Sequence, residues 1–310
     1  MIRKELKKDD IKKILFRDIL THVEKPGRYV GKEYNEICKK DNQKRIKVAL
    51  AFPDLYEIGM SYLGFKILYD IINKRKDAMA ERVFSPADDM EKLLRKKEIP
   101  VFSLENVRPL YDFDIVGFSL QHELSFTNIL NLLSLGAIPL LSRERSLDDP
   151  LIIAGGPSAF NPEPLADFVD AFVLGDGEDI IEEIITVYQQ WKRENQFKNR
   201  QMLLKKMAEI PGIYIPSFYH WEYDPEGKIN TLIKKNSYVP EKIEKRIISD
   251  FNKASFPVCP IVPNIDVVHN RITLEILRGC NRGCRFCQAG MVYRPAREKK
   301  VATLQTLAEE

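Results

Sequence analysis

Between residues 45 and 195 short apolar runs alternate with longer amphipathic ones, and few folds tolerate that order. IKVALAF (46–52), ending at Pro53, reads as a buried strand. SYLGFKILYDIINK (61–74) then sets Leu63, Ile67, Leu68, Ile71 and Ile72 on one helical face. MAERVF (79–84) predicts a second strand, and residues 87–99 a helix whose acidic start and basic end suit its dipole. FDIVGFSL (113–120) predicts a strand, and 123–136 a helix stopped by glycine. PLLS (139–142), PLIIAGG (150–156) and DAFVLGDGE (170–178) predict further strands, followed by a helix from about Glu178 to Trp191. Such alternation predicts an α/β unit: an open, mostly parallel sheet with helices on both faces. Ligands of such sheets sit beyond the carboxyl ends of the strands. The loops to watch are therefore 54–59, 119–123, 155–164 and 175–178.

The flanks read differently. Residues 1–44 predict a charged helix, with Ile11, Ile14, Leu15 and Ile19 at helical spacing, then a loop or short hairpin. Residues 196–270 predict a β-rich connector, with two β segments in 212–235 around Asp224-Pro225-Glu226-Gly227. From 271 a strand, ITLEILRGC (272–280), leads into a cysteine loop, and a helix begins near Glu298.

Lys and Arg number 48 against 45 Asp and Glu, a net charge of +3 spread along the chain. That diffuse charge lacks the concentrated basic face of a nucleic-acid binder. No apolar run approaches the roughly 20 residues of a membrane span. The N-terminus has no apolar core for a secretory signal, so the expected location is cytoplasmic.

The five cysteines are an odd number, and three of them, Cys280, Cys284 and Cys287, fall in one short loop. Thiolates favour soft metals, so such a loop points to metal or redox chemistry. Structural zinc wants four ligands, and Cys259 or His269 would have to complete it. A four-iron cluster with one iron left open needs only the three. Three unligated thiols are the remaining reading.

The spacing C-x3-C-x2-C, with Phe286 before the last cysteine, resembles the radical S-adenosylmethionine (SAM) superfamily. The resemblance implies a [4Fe–4S] cluster on Cys280, Cys284 and Cys287, with SAM chelating the open iron and Phe286 beside its adenine. One-electron reduction would then release a 5′-deoxyadenosyl radical. It also implies a one-electron reductant, flavodoxin- or ferredoxin-like, as partner. The substrate stays open. Gly155-Gly156-Pro157 and the turn Leu174–Glu178 resemble turns of the Rossmann-like, cobalamin-binding-type domain that precedes the radical barrel in one branch. Gly155, Gly156, Gly175 and Glu178 would then line a cofactor pocket. The layout is similar to an uncharacterised bacterial group of the superfamily.

The implied domains are 1–44, a Rossmann-like 45–195, a connector 196–270 and the start of a radical SAM core at 271–310. Two departures stand out. Where cobalt-ligating domains carry Asp-x-His-x-x-Gly, this chain has Asp54-Leu55-Tyr56-Glu57-Ile58-Gly59. Cobalamin would have to bind without that histidine, or not at all. The core is also expected to be incomplete at residue 310, and this chain alone is expected to lack activity. The competing expectation is a non-catalytic α/β protein that binds a small molecule or partner and carries a structural zinc or vestigial metal site.

Other constellations carry less. A P-loop is absent. His122 stands at a strand end, where a polar loop role is commonest. Arg294 and Arg297, after the cysteine loop, are candidates to meet a cofactor carboxylate.

Overall fold

The structure is a computed structural model that describes residues 6, 8–40, 42, 44–194 and 199–310. Five parallel strands form the body of its sheet: β1 (Ile46–Phe52), β2 (Ala78–Phe84), β3 (Ile115–Ser119), β4 (Leu151–Gly155) and β5 (Ala171–Val173). A sixth, β6 (Ile213–Tyr214), adds antiparallel to β5, giving the order β2-β1-β3-β4-β5-β6. The alternating runs of the sequence are thus the strands of one α/β sheet. The β2 strand is buried along its whole length and β1 nearly so, as expected of parallel strands covered on both faces.

The helices are α1 (Lys8–Ile14), α2 (Tyr56–Gly59), α3 (Leu63–Lys74), α4 (Asp88–Lys97), α5 (Phe126–Leu135), α6 (Glu178–Arg193), α7 (Arg200–Ala208), α8 (Ala289–Val292) and α9 (Val301–Glu309). The chain moves one way along the sheet from β1 to β2 and the other way from β2 through β3 to β4. Right-handed crossovers therefore put α3 on one face and α4 and α5 on the other. The α6 helix packs beside α3, and Asn131 of α5 bonds Arg95 and Glu91 of α4. The N-terminal helical segment buries Ile11, Leu15 and Ile19 against Met90 and Leu94 of α4, a second small core beside the main one.

Several expectations are corrected. PLLS (139–142) forms no strand. The buried Arg145 guanidinium takes the carbonyls of Pro139 and Leu140, which a sheet would need. Ile213–Tyr214 joins the main sheet rather than the hairpin, which is β7 (Tyr219–Tyr223) and β8 (Ile229–Lys234). The sheet therefore extends past residue 195. The α7 helix, opened by Asn199 accepting the Met202 N–H at 2.7 Å, was not anticipated. Residues 22–44 hold no hairpin among those described; Tyr34 instead bridges Val262 of the connector. Of 272–280 only β9 (Leu277–Arg278) is strand, paired antiparallel with β10 (Arg297–Glu298). Ile272 and Ile276 stay exposed, with no neighbouring strand to bury them. No helix among the described residues is long and apolar enough to cross a membrane.

Candidate functional site

The strand order reverses between β1 and β3, which opens a crevice at the carboxyl ends of the strands. A cavity of about 390 Å³ occupies it, between the sheet and helices α3 and α6. Side chains alternate along a strand, so Val48 and Leu50, Gly117 and Ser119, Ile153 and Gly155 all face it from β1, β3 and β4. Gly117 and Gly155 leave space where any other residue would fill the floor. The rim is polar. Tyr62, Gln121 and Tyr293 stand along it, and burial raises both tyrosine pKa values.

Gly155, Gly156, Gly175 and Glu178, the four residues expected at a cofactor pocket, all line this cavity. Two of these glycines are obligatory. Gly156 has φ +117°, and a Cβ would meet the Leu120 carbonyl at 2.5 Å. Gly175 has φ +106°, and a Cβ would collide with the Arg246 carbonyl. The Gly-Asp-Gly-Glu turn lies flat against the connector at Arg246, so residue 175 has no room for a side chain. Tyr56 does not line the cavity. It is buried on the far side of its loop and donates its hydroxyl to Glu33. His122 is exposed and also lies outside the cavity.

Asp176 and Arg278 carry a role that motif reading missed. Asp176 is 8% exposed and accepts from Arg278 at 3.0 Å and from Arg297. Arg278 also meets Glu178 at 2.6 Å and Glu275 at 2.9 Å. Burial pushes the Asp176 carboxyl up, but the hydrogen bonds from Arg297 and the Ile248 N–H, with the charge of Arg278, hold it below its ordinary value. Burial likewise opposes the Arg278 cation, and its bonds to Glu275 and Glu178 outweigh that and raise its pKa. Arg294 lines the rim near Arg297, and no carboxylate pairs with it among the described residues. The only hint in the sequence was position: Arg278 stands two residues before Cys280.

The cysteine loop lies beside this rim. Cys280, Cys284 and Cys287 are free thiols, two half-buried and Cys284 exposed. The Arg282 N–H donates to Cys280 Sγ at 3.4 Å, and the Cys287 N–H to the Cys284 carbonyl at 3.1 Å. Phe286 is 92% exposed. Among the described residues no three His, Cys, Asp or Glu side chains stand together as a ready metal site. The donor set nonetheless suits a soft metal centre: three uncommitted thiols within reach of solvent, in a loop where nothing lies within 4 Å of a Cβ built on Gly283.

Residues 64–216 match the family model for the N-terminal region of radical SAM proteins. An uncharacterized protein of Methanocaldococcus jannaschii is 25% identical over 271 residues, covering 86% of this chain and 46% of that protein. Among solved structures, the radical SAM methyltransferase TsrM of Kitasatospora setae, with cobalamin and a [4Fe–4S] cluster bound, aligns over 86% of this chain and 45% of its own. Its TM-score is 0.46 and its identity 13%. The same enzyme with tryptophan substrate and a SAM analogue gives 0.44 and 14%, over 85% of this chain and 45% of that one. The chain thus spans about half the length of the relatives it matches.

Proposed function

Because the chain belongs to the radical SAM proteins, we propose that it serves a radical SAM enzyme in two ways. Cys280, Cys284 and Cys287 hold a [4Fe–4S] cluster whose open iron takes SAM, and the sheet cavity holds an organic cofactor. The observation that supports this most is the adjacency of the two parts: the segment entering the cysteine loop is itself a wall of the cavity, through Leu277, Arg278 and Gly279. When bound, the cluster supplies the electron that cleaves SAM reductively. The chain's own residues position and shield. The three thiolates supply the ligands, Phe286 covers the adenine, and Arg294, with no carboxylate partner among the described residues, is a cation for the SAM carboxylate. Arg297 is already committed to Asp176.

Cobalamin is the candidate for the cavity. The apolar floor left by Gly117 and Gly155 suits a flat heterocycle, and the polar rim of Tyr62, Gln121 and Tyr293 suits its amide-bearing edge. No histidine lines the cavity, so binding would be without a protein ligand to cobalt. The electron donor is a small one-electron carrier, flavodoxin- or ferredoxin-like.

Anaerobic reconstitution with iron and sulfide tests the reading. About four irons per chain, with broad visible absorption, are expected, and both are lost in the Cys280/Cys284/Cys287→Ala variant. A chain left iron-free, or holding one zinc that survives reconstitution, would overturn it in favour of a structural metal site. Titration with hydroxocobalamin tests the cavity separately.

A further inference from the structure

The base of the cysteine loop is held by a carboxylate from the opposite wall of the cavity. Arg278 in β9 stands directly opposite Arg297 in β10. Two like charges at paired positions of a ladder repel. Asp176 stands between them: Oδ1 accepts from Arg278 and Oδ2 from Arg297. The Phe251 ring supports the same pair, 5.1 Å from the Arg278 guanidinium and 5.8 Å from that of Arg297. Asp176 has little freedom. Oδ2 also accepts the Ile248 N–H at 2.9 Å, and its own N–H donates to the Arg246 carbonyl at 2.9 Å.

The chain between the two arginines is different. Cys284, Arg285 and Phe286 are exposed, and the ladder that closes the loop is only two residues long on each side. So short a hairpin is not stable on its own. Its closure depends on the contacts at its base.

We infer that Asp176 is a positioning residue for the cysteine loop: by joining Arg278 to Arg297 it closes the loop over the cavity rim and holds the three thiols there. The inference rests on the reading of those thiols as metal ligands. Because Asp176 and Arg278 also line the cavity, a ligand there and a metal on the loop share one set of contacts. Linkage then requires that each change the affinity of the other by the same factor.

The test uses the full chain, with Asp176→Asn and the conservative Asp176→Glu. Hydrogen exchange read by mass spectrometry over 277–299 is expected to speed up about tenfold or more in D176N, with β1, β3 and β4 unchanged and D176E in between. Cobalt(II) alone, followed by its thiolate charge-transfer absorption, is expected to bind about 10–100-fold more weakly to D176N, as when a partner outside the ligand set is lost. Unchanged exchange over 277–299 overturns the clamp. Faster exchange with unchanged cobalt affinity overturns its role in holding the thiols. Wild-type cobalt binding no stronger than that of the triple cysteine variant would fail the metal reading instead, and the exchange data would still decide the clamp. Should D176N not fold, Arg297→Gln opens the same base while leaving Asp176 with Arg278, and the same two outcomes apply.

Discussion

The Tyr56 hydroxyl donates a hydrogen bond to Glu33, the same carboxylate that pairs with the guanidinium of Arg82. Tyr56 stands where a cobalt-ligating domain would carry histidine, and its side chain is buried against Glu33 instead. Tyr56→Phe is expected to cost about 1–3 kcal/mol, because a buried carboxylate loses a donor. It should leave hydroxocobalamin affinity unchanged, since Tyr56 does not line the cavity. Urea denaturation and a binding titration separate the two. Loss of binding without loss of stability would put this tyrosine in the cofactor site.

Arg82 is buried with three carboxylates, Glu33 at 2.5 Å, Glu105 at 2.6 Å and Glu36 at 3.0 Å. One cation cannot offset three acids out of water. Burial, opposed only in part by Arg82, pushes Glu105 up from 4.5 to about 7, and Glu36 rises for the same reason. An acid raised on folding binds its proton more tightly in the folded state. Its contribution to stability is full below the unfolded value of 4.5 and is lost as pH rises through about 7. Unfolding free energy should therefore fall across this interval, and Glu105→Gln should flatten the fall. Equal slopes for both proteins would count against the assignment.

Gly175→Ala asks whether the turn must stay glycine. A Cβ there would strike the Arg246 carbonyl, and the backbone has φ +106°. The expected cost is about 1–3 kcal/mol of unfolding free energy, the usual range for such strain. A variant as stable as wild type in urea would show that the turn can shift away from the connector.

Gly117→Val fills the cavity without disturbing the sheet. Its Cβ would meet Ile153 at 3.6 Å, ordinary contact, and a β-branched residue suits a strand. Stability should change by no more than about 1 kcal/mol. Hydroxocobalamin titration should no longer saturate. Retained binding would place the cofactor elsewhere.

Much of the fold was legible because it is written in local periodicity. IKVALAF had to be a buried strand, and the 63–72 stripe a helix. PLLS misled because its apolar letters say nothing of Arg145, whose guanidinium comes back from several residues away to take the carbonyls. Leu277–Arg278 is shorter than its apolar alternation promised because a strand needs a neighbour, and only Arg297–Glu298 is there to pair with it.

By itself the sequence determined the strands β1 to β5 and the helices α3 to α6, the glycine turns at 155–156 and 175, and the spacing of Cys280, Cys284 and Cys287. Each of these depends on residues within a few positions of one another. Only the tertiary structure decided that Gly117 and Gly155 leave a cavity, that Tyr56 faces away from it, and that Asp176 grips the base of the cysteine loop. Asp176 and Arg278 are 102 positions apart. An ion pair depends on distance in space, and that distance exists only once β5 and the connector have packed together.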